Sequence, residues 1–332
     1  MARRPRSRRR PLASVPGRFR RTVLAGLVTA SVAVPVAGAA RPAEVPAPVP
    51  AAVAPLRAGT ADVLAARLEE RYAAERVALA EAGRTAEEYG AGRRAASLRE
   101  MAGADRRFLE FDGRDGGRSA EVVGDLARAD RIAVLVPGAD TGLDAYGRFR
   151  AGAVALQGAA GGRTAVVAWL GYRTPATGSA ASLTPGRADQ AAPRLRAFVE
   201  GLARMRPGAR ITLLGHSYGS VVCARAAPGL PVAAVVLFGS PGTGSDHVTG
   251  LGTDAAVWAG RSDGDWIGGI PHVRVPLLAG SELGFGTDPT DPGFGARAFA
   301  AGDGGHSDYL APGSVSLRSL ALIVGGEEPD RA

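Results

Sequence analysis

The chain has neither lysine nor asparagine in its 332 residues. Without lysine there is no Schiff base, no Ser-Lys dyad and no phosphate-loop lysine. Without asparagine a Cys-His-Asn triad is excluded too. The single cysteine, Cys223, permits no internal disulfide and no cysteine metal cluster. Acids are missing from one stretch only, since residues 1–40 hold nine arginines and no Asp or Glu. Subtracting those nine from the formal net charge of +8 leaves −1 on residues 41–332. A near-neutral body has no broad field to draw in polyanions, so nucleic acid is not an expected partner.

What is present divides the chain clearly. Residues 1–40 read as an export signal. An arginine-rich start precedes the 15-residue apolar run TVLAGLVTASVAVPV, and small residues offer a cleavage site near Ala39 or Ala40. Arg20-Arg21 followed by Thr22, Val23 and Leu24 resembles a twin-arginine signal. The run falls short of the roughly 20 apolar residues of a membrane span, so membrane contact is expected only through this segment if it stays uncleaved. No cysteine lies near the cleavage site, which excludes a lipoprotein anchor. The expected location is secreted or envelope-associated.

Residues 41–59 form a Pro/Ala-rich spacer. Residues 60–106 are expected to be a helical segment. A first helix spans about Ala61 to Ala82 and ends at Gly83, and a second opens on the capping box Thr85 to Glu88 and runs to Met101. Residues 107–325 change to strands alternating with helices, and 326–332 are a tail. RFLEF and SAEVVGDL read as a hairpin. Buried runs at 131–137, 164–170, 211–215, 233–239, 255–260 and 272–278 alternate with helices at 143–158, 188–206 and 218–227. Such alternation predicts an α/β fold with a mostly parallel, doubly wound sheet, an antiparallel edge hairpin and the N-terminal helical segment. GFGARA (293–298) matches a degenerate dinucleotide fingerprint but follows no predicted strand, so no cofactor is expected, and no metal either.

Chemistry concentrates in Gly215-His216-Ser217-Tyr218-Gly219, which follows a strand and precedes a helix. A strand that reverses into a helix within a few residues strains the residue at the turn, and glycines on either side make room for it. Ser217 is therefore the candidate nucleophile. Serine is weakly nucleophilic at neutral pH and needs a base and an orienting acid, here in the order serine, acid, histidine. His306, in the Gly-rich GDGGHSDYL, is the expected base; His272, which opens a strand, is the second choice. Asp263 and Asp265 both follow a strand in SDGDWI, and Asp265 is preferred because Trp266-Ile267 would anchor it. The oxyanion needs two backbone N–H groups. Tyr218 is expected to supply one, and Ala139 or Asp140 in VLVPGADTG the other. Cys223 reads as a core thiol. Phe285, Phe294 and Phe299 could line an acyl site or simply pack beneath a loop.

Together with VVGDLARADRIAVLVPG, FGSPG and GTDPTDPGFGARAF, these motifs resemble the α/β-hydrolase superfamily over about 107–325. They are most similar to an actinobacterial branch known as a domain of unknown function. The resemblance implies that Ser217, an acid of SDGDWI and His306 form a triad, and again favours Asp265. The first oxyanion turn reads Pro-Gly, where many esterases of the superfamily have His-Gly. The expected activity is a secreted serine hydrolase, esterase- or lipase-like, on a small or lipid-like acyl substrate. Acyl transfer at the same site, or a non-catalytic binding protein on this scaffold, are the alternatives.

Overall fold

The computed structural model describes residues 44–51, 54–276 and 282–331. The export signal assigned to 1–40 lies outside them. The main sheet has eight strands. They are β1 (Phe108–Asp112), β2 (Arg118–Val123), β3 (Arg131–Val136), β4 (Thr164–Leu170), β5 (Arg210–His216), β6 (Ala234–Phe238), β7 (Ala256–Gly260) and β10 (Arg297–Ala298). Across the sheet their order is β1-β2-β4-β3-β5-β6-β7-β10. β1 and β2 are the antiparallel edge, and β4, β3, β5, β6, β7 and β10 run parallel to one another.

Five of these strands alternate apolar side chains between two covered faces. In β3, Ile132, Val134 and Val136 point to one core while Ala133 and Leu135 point to the other. The first core is closed by α1 (Ala61–Glu88), α4 (Gly186–Met205) and α5 (Tyr218–Ala226), and the second by α3 (Tyr146–Ala160) and α6 (Val315–Gly325). Burial on both faces is why the strands read as continuous apolar runs. The chain goes from β3 outward to β4 and then crosses back over β3 to β5. The strand order reverses there, and in open α/β sheets ligands bind at that point, beyond the strands' C-terminal ends.

Several expected boundaries are corrected. Gly83 does not end α1, which continues to Glu88. Gly83 is buried where α2 (Gly92–Met101) crosses, and a Cβ there would stand 3.5 Å from Leu98 Cβ. The chain breaks instead at Gly90, whose φ of 82° lies in the left-handed region. Thr85 makes no capping box; its hydroxyl donates to the Glu81 carbonyl at 3.1 Å, four residues back. The described part of the run expected at 272–278, residues 272–276, does not join the main sheet. Its Arg274–Pro276 (β8) pairs antiparallel with Glu282–Gly284 (β9) in a separate ribbon. Arg274 and Pro276 interrupt the apolar run that a strand buried on both faces requires. The sheet is completed by β10, inside GFGARA. Helix α6 lay within the expected domain without being foreseen, although Ser314 caps it by accepting from Leu317 N at 3.1 Å and Gly326 ends it at φ 85°.

Three ionisable side chains, Arg106, Glu121 and Glu75, are buried where the helical segment meets the sheet. Arg106 forms a fork on Glu121 of β2, with Nη2 donating to Oε2 at 2.9 Å, and Arg150 of α3 adds a 3.2 Å bond from Nε to Oε1. Glu75 of α1 has no such pairing: burial pushes its carboxyl up to about 7, against the opposing pull of Arg71 and with further help from Glu110.

Two outcomes are expected from these contacts. A raised carboxyl means that the folded chain holds the Glu75 proton more tightly than the unfolded chain. That stability is complete below the ordinary value of 4.5 and is lost as pH rises through about 7. Glu75→Gln should therefore be the more stable form at pH 8, by on the order of 2 kcal/mol, with no advantage near pH 4. Urea midpoints at the two pH values test this, and equal differences at both would refute it. The second outcome concerns Gly219 in α5. A Cβ there would stand 2.5 Å from the Pro137 carbonyl oxygen and closer still to that of Val136. Because both obstacles are backbone, Gly219→Ala should cost about 3 kcal/mol in urea unfolding.

Candidate active site

Strand β5 is hydrogen-bonded on both sides, to β3 and β6, so its C-terminal end is fixed. The next residue, Ser217, has φ 52° and ψ −126°, a conformation that a residue with a side chain rarely adopts. The turn is tight because α5 begins at once. A Cβ on Gly215 would come within 2.6 Å of both the Gly219 carbonyl oxygen and Ser220 Cα. Ser217 N donates to the Phe238 carbonyl at 3.0 Å, which ties the turn to β6. The Ser217 side chain thus projects at the switch point while its residue remains only 8% exposed.

His306 arrives on the loop between β10 and α6. Its Nε2 is 2.9 Å from Ser217 Oγ, and its Nδ1 is 2.8 Å from Asp265 Oδ1. The carboxylate accepts only, so Nδ1 carries the proton and Nε2 is left to accept from the serine hydroxyl. Asp265 lies just past β7 and is buried, whereas Asp263 is exposed and uses its backbone N–H on the Gly302 carbonyl at 2.9 Å. Burial pushes the Asp265 carboxyl up, but hydrogen bonds from His306, Tyr309 and Ile267 N outweigh it and hold the group below its usual value. The anchors of Asp265 differ from those expected. Ile267 is buried and its N–H donates to Oδ1 at 2.9 Å, but Trp266 is 53% exposed and lies over His306, with ring centroids 4.7 Å apart.

Two partners escaped the sequence reading. The buried Tyr309 hydroxyl donates to Asp265 Oδ2 at 2.6 Å and accepts from Ser262 N at 3.1 Å. Its signal was its place three residues after His306. His216 donates from Nε2 to the main-chain carbonyl of His306 at 2.8 Å. Burial, and then the neighbouring His306, push the His216 imidazole down to about 4, so it stays neutral at neutral pH. The remaining histidines lie elsewhere. His272 Nε2 faces Asp288 Oδ2 at 3.8 Å, and His247 Nδ1 is 3.0 Å from the Gly293 carbonyl oxygen.

Gly138 presses the turn after β3 against the serine, since a Cβ there would be 2.6 Å from Ser217 Cβ and 3.2 Å from Oγ. Of the two residues named for the second oxyanion donor, Asp140 is ruled out: its N–H donates to the Pro175 carbonyl at 3.0 Å. The Ala139 N–H has no partner among the described residues. Tyr218 is the first residue of α5, where a backbone N–H lacks an intrahelical acceptor. Phe285, Phe294 and Phe299 are all buried in the cores, and Phe285 packs edge-on to Tyr218 at 5.7 Å. Cys223 is fully buried on α5, and burial raises its thiol. Among the described residues no three His, Cys, Asp or Glu side chains cluster as a metal would require, and no helix is long and apolar enough to cross a membrane.

Residues 112–275 match the sequence model of a family described as alpha/beta hydrolase. The chain is similar to the uncharacterized protein Rv2079 of Mycobacterium tuberculosis, 33% identical over 66% of this chain and 38% of that protein. It is also similar to the uncharacterized protein Rv0963c of the same species, 37% identical over 40% of this chain and 55% of that protein. It thus spans well under two thirds of either relative. Among solved structures it resembles esterase PE8, at 18% identity and a TM-score of 0.44, covering 62% of this chain and 97% of that one. Esterase LipW from Mycobacterium marinum gives 16% identity and a TM-score of 0.43, with coverages of 74% and 90%. With the strand order, the crossover helices and the family match in agreement, the domain built around residues 112–275 belongs to the α/β-hydrolase superfamily.

Proposed function

We propose that this protein is a serine hydrolase that cleaves esters through an acyl-enzyme, with Ser217 as nucleophile, His306 as base and Asp265 as orienting acid. The observation that carries the reading is the unbroken hydrogen-bond line from Ser217 Oγ through both nitrogens of His306 to Asp265. A neutral His306 removes the hydroxyl proton as Oγ bonds to the acyl carbon. The imidazolium is stabilised by the ionised Asp265, then returns its proton to the departing alcohol as the C–O bond breaks. A water molecule, deprotonated by His306, attacks the acyl carbon and releases the acid, and Ser217 regains its proton. The negative oxygen formed in each half accepts from Tyr218 N–H and Ala139 N–H. The reading of residues 1–40 as an export signal supports placing this activity outside the cytoplasm.

Labelling with a fluorophosphonate, read by intact mass, tests the chemistry. Wild type should gain one adduct, and Ser217→Ala none. His306→Gln should label at least about 100-fold more slowly, and Asp265→Asn more slowly than Asp263→Asn. The rate should fall on acidification, because a protonated His306 cannot accept; a rate that acidification leaves unchanged would remove His306 from the role. Export is tested separately by expressing the full chain in an actinobacterial host. The protein should appear outside the cytoplasm, and replacing Arg20 and Arg21 with lysine should retain it inside. Equal export of both forms would exclude the twin-arginine assignment.

A further inference from the structure

The two oxyanion donors follow different strands, the Tyr218 N–H at the start of α5 just past β5 and the Ala139 N–H in the turn after β3. Their separation has to be held to a few tenths of an ångström for both to reach one oxygen. The β3 turn has little means of holding itself. Ladder pairing of β3 with β5 ends at Val136 opposite Gly215, and Pro137 has no N–H to offer.

The segment after β4, residues 172–177, supplies what the turn lacks. Tyr172 Oη donates to the Pro137 carbonyl at 2.7 Å. Asp140 N donates to the Pro175 carbonyl at 3.0 Å, and Thr177 N returns a bond to Asp140 Oδ1 at 3.0 Å. Thr174 Oγ1 donates to the Thr141 carbonyl at 2.7 Å. Four bonds therefore grip residues 137–141, and none of them uses the Ala139 N–H. Asp140 sits at φ 59°, one of three non-glycine residues with positive φ among the described residues. Aspartate tolerates that region better than most residues, and here both its backbone and its side chain are anchored.

Tyr172 also reaches the other donor. Its buried ring is stacked between Trp169, at 6.2 Å and 20°, and Tyr218, at 6.4 Å and 20°. The Tyr218 hydroxyl is fixed in turn, donating to the Thr184 carbonyl at 2.7 Å and accepting from Ala188 N at 3.2 Å. One side chain thus holds the β3 turn through its hydroxyl and packs against the Tyr218 side chain through its ring.

We propose that Tyr172 and Asp140 are positioning residues that preset the distance between the Ala139 and Tyr218 N–H groups, so that the oxyanion hole exists before substrate arrives. This rests on the serine-hydrolase reading above. Neither residue touches the reacting atoms. Their effect is on a charge that develops only in the transition state, so it belongs in kcat rather than in KM.

The experiment is steady-state hydrolysis of p-nitrophenyl butyrate by the full chain and its Tyr172→Phe, Asp140→Val, Asp140→Asn and Ser217→Ala variants, with thermal melts alongside. Tyr172→Phe removes one oxygen from a ring that stays stacked, so the fold is expected to survive. Its kcat should fall about 10- to 100-fold, with KM within about threefold of wild type and the acid limb of the pH profile unmoved, because His306 is not touched. Asp140→Val should fall at least as far. Asp140→Asn, which tolerates the left-handed φ and keeps an acceptor oxygen, should recover about tenfold of that loss. A Tyr172→Phe enzyme with wild-type kcat and a lowered melting temperature would show a structural role only and overturn the proposal. So would a change confined to KM. Loss of all activity in Ser217→Ala alongside an unaffected Tyr172→Phe defeats the positioning role alone. Hydrolysis that survives Ser217→Ala defeats the underlying reading, and this proposal with it.

Discussion

The geometry of the whole site descends from one steric constraint, the turn of the chain from β5 into α5 at Ser217. Placing a side chain at φ 52° is unfavourable, and the fold holds it there by closing in from three directions. β6 takes the Ser217 N–H, the first turn of α5 crosses over Gly215, and the β3 turn lies against the serine at Gly138. No Cβ fits at Gly138, Gly215 or Gly219 without moving backbone or the serine itself. The close approaches that force the strain also deliver the serine hydroxyl and two backbone N–H groups to one place. Strain and function here come from the same contacts.

The second requirement is a carboxylate that stays ionised while buried. Removing Asp265 from water favours its neutral form, and only donors aimed at both oxygens reverse that preference. His306 and Ile267 N share Oδ1 while Tyr309 takes Oδ2, so neither oxygen is left without a partner. The nearby imidazole of His216 solves the opposite problem. It is kept uncharged, by its burial first and by the neighbouring His306 second. The two groups on either side of His306 are thus set apart by environment: an acid held ionised and a histidine held neutral.

The sheet was legible because strands buried on both faces must be apolar throughout, and the elbow because so tight a turn demands glycines at fixed spacing. Asp265 is preferred over Asp263 in the sequence through its neighbours Trp266 and Ile267 and through the family resemblance; the physical difference is burial, which a loop sequence does not display. Other features depend on tertiary partners. Gly83 reads as a helix end until the crossing of α2 explains it, and Arg297–Ala298 is too short to signal a strand without β7 beside it. The Asp140 N–H looked as available as that of Ala139, since nothing in PGADTG indicates that Pro175 will accept from it. Tyr309 and Tyr172 each place a hydroxyl on a group far away in sequence; Tyr309 is marked only by lying three residues after His306, and Tyr172 carries no mark at all.

His306 sits on a loop without regular structure, which invites the expectation of a mobile base. The loop is nevertheless tied at successive points. Gly305 N donates to Asp308 Oδ2 at 2.8 Å, and His216 holds the His306 carbonyl. Tyr309 is fixed at both ends, its hydroxyl on Asp265 and its carbonyl accepting from Ser316 Oγ at 2.8 Å at the start of α6. These tethers run to β5, to the segment after β7 and to α6, all of which belong to the packed sheet and its covering helices. His306 therefore inherits its precise placement from the sheet although it does not lie on it. The same holds for the β3 turn, gripped by the segment after β4. A rigid sheet sets the ends of the strands, and side-chain hydrogen bonds carry that rigidity outward by one loop, as far as the chemistry needs it.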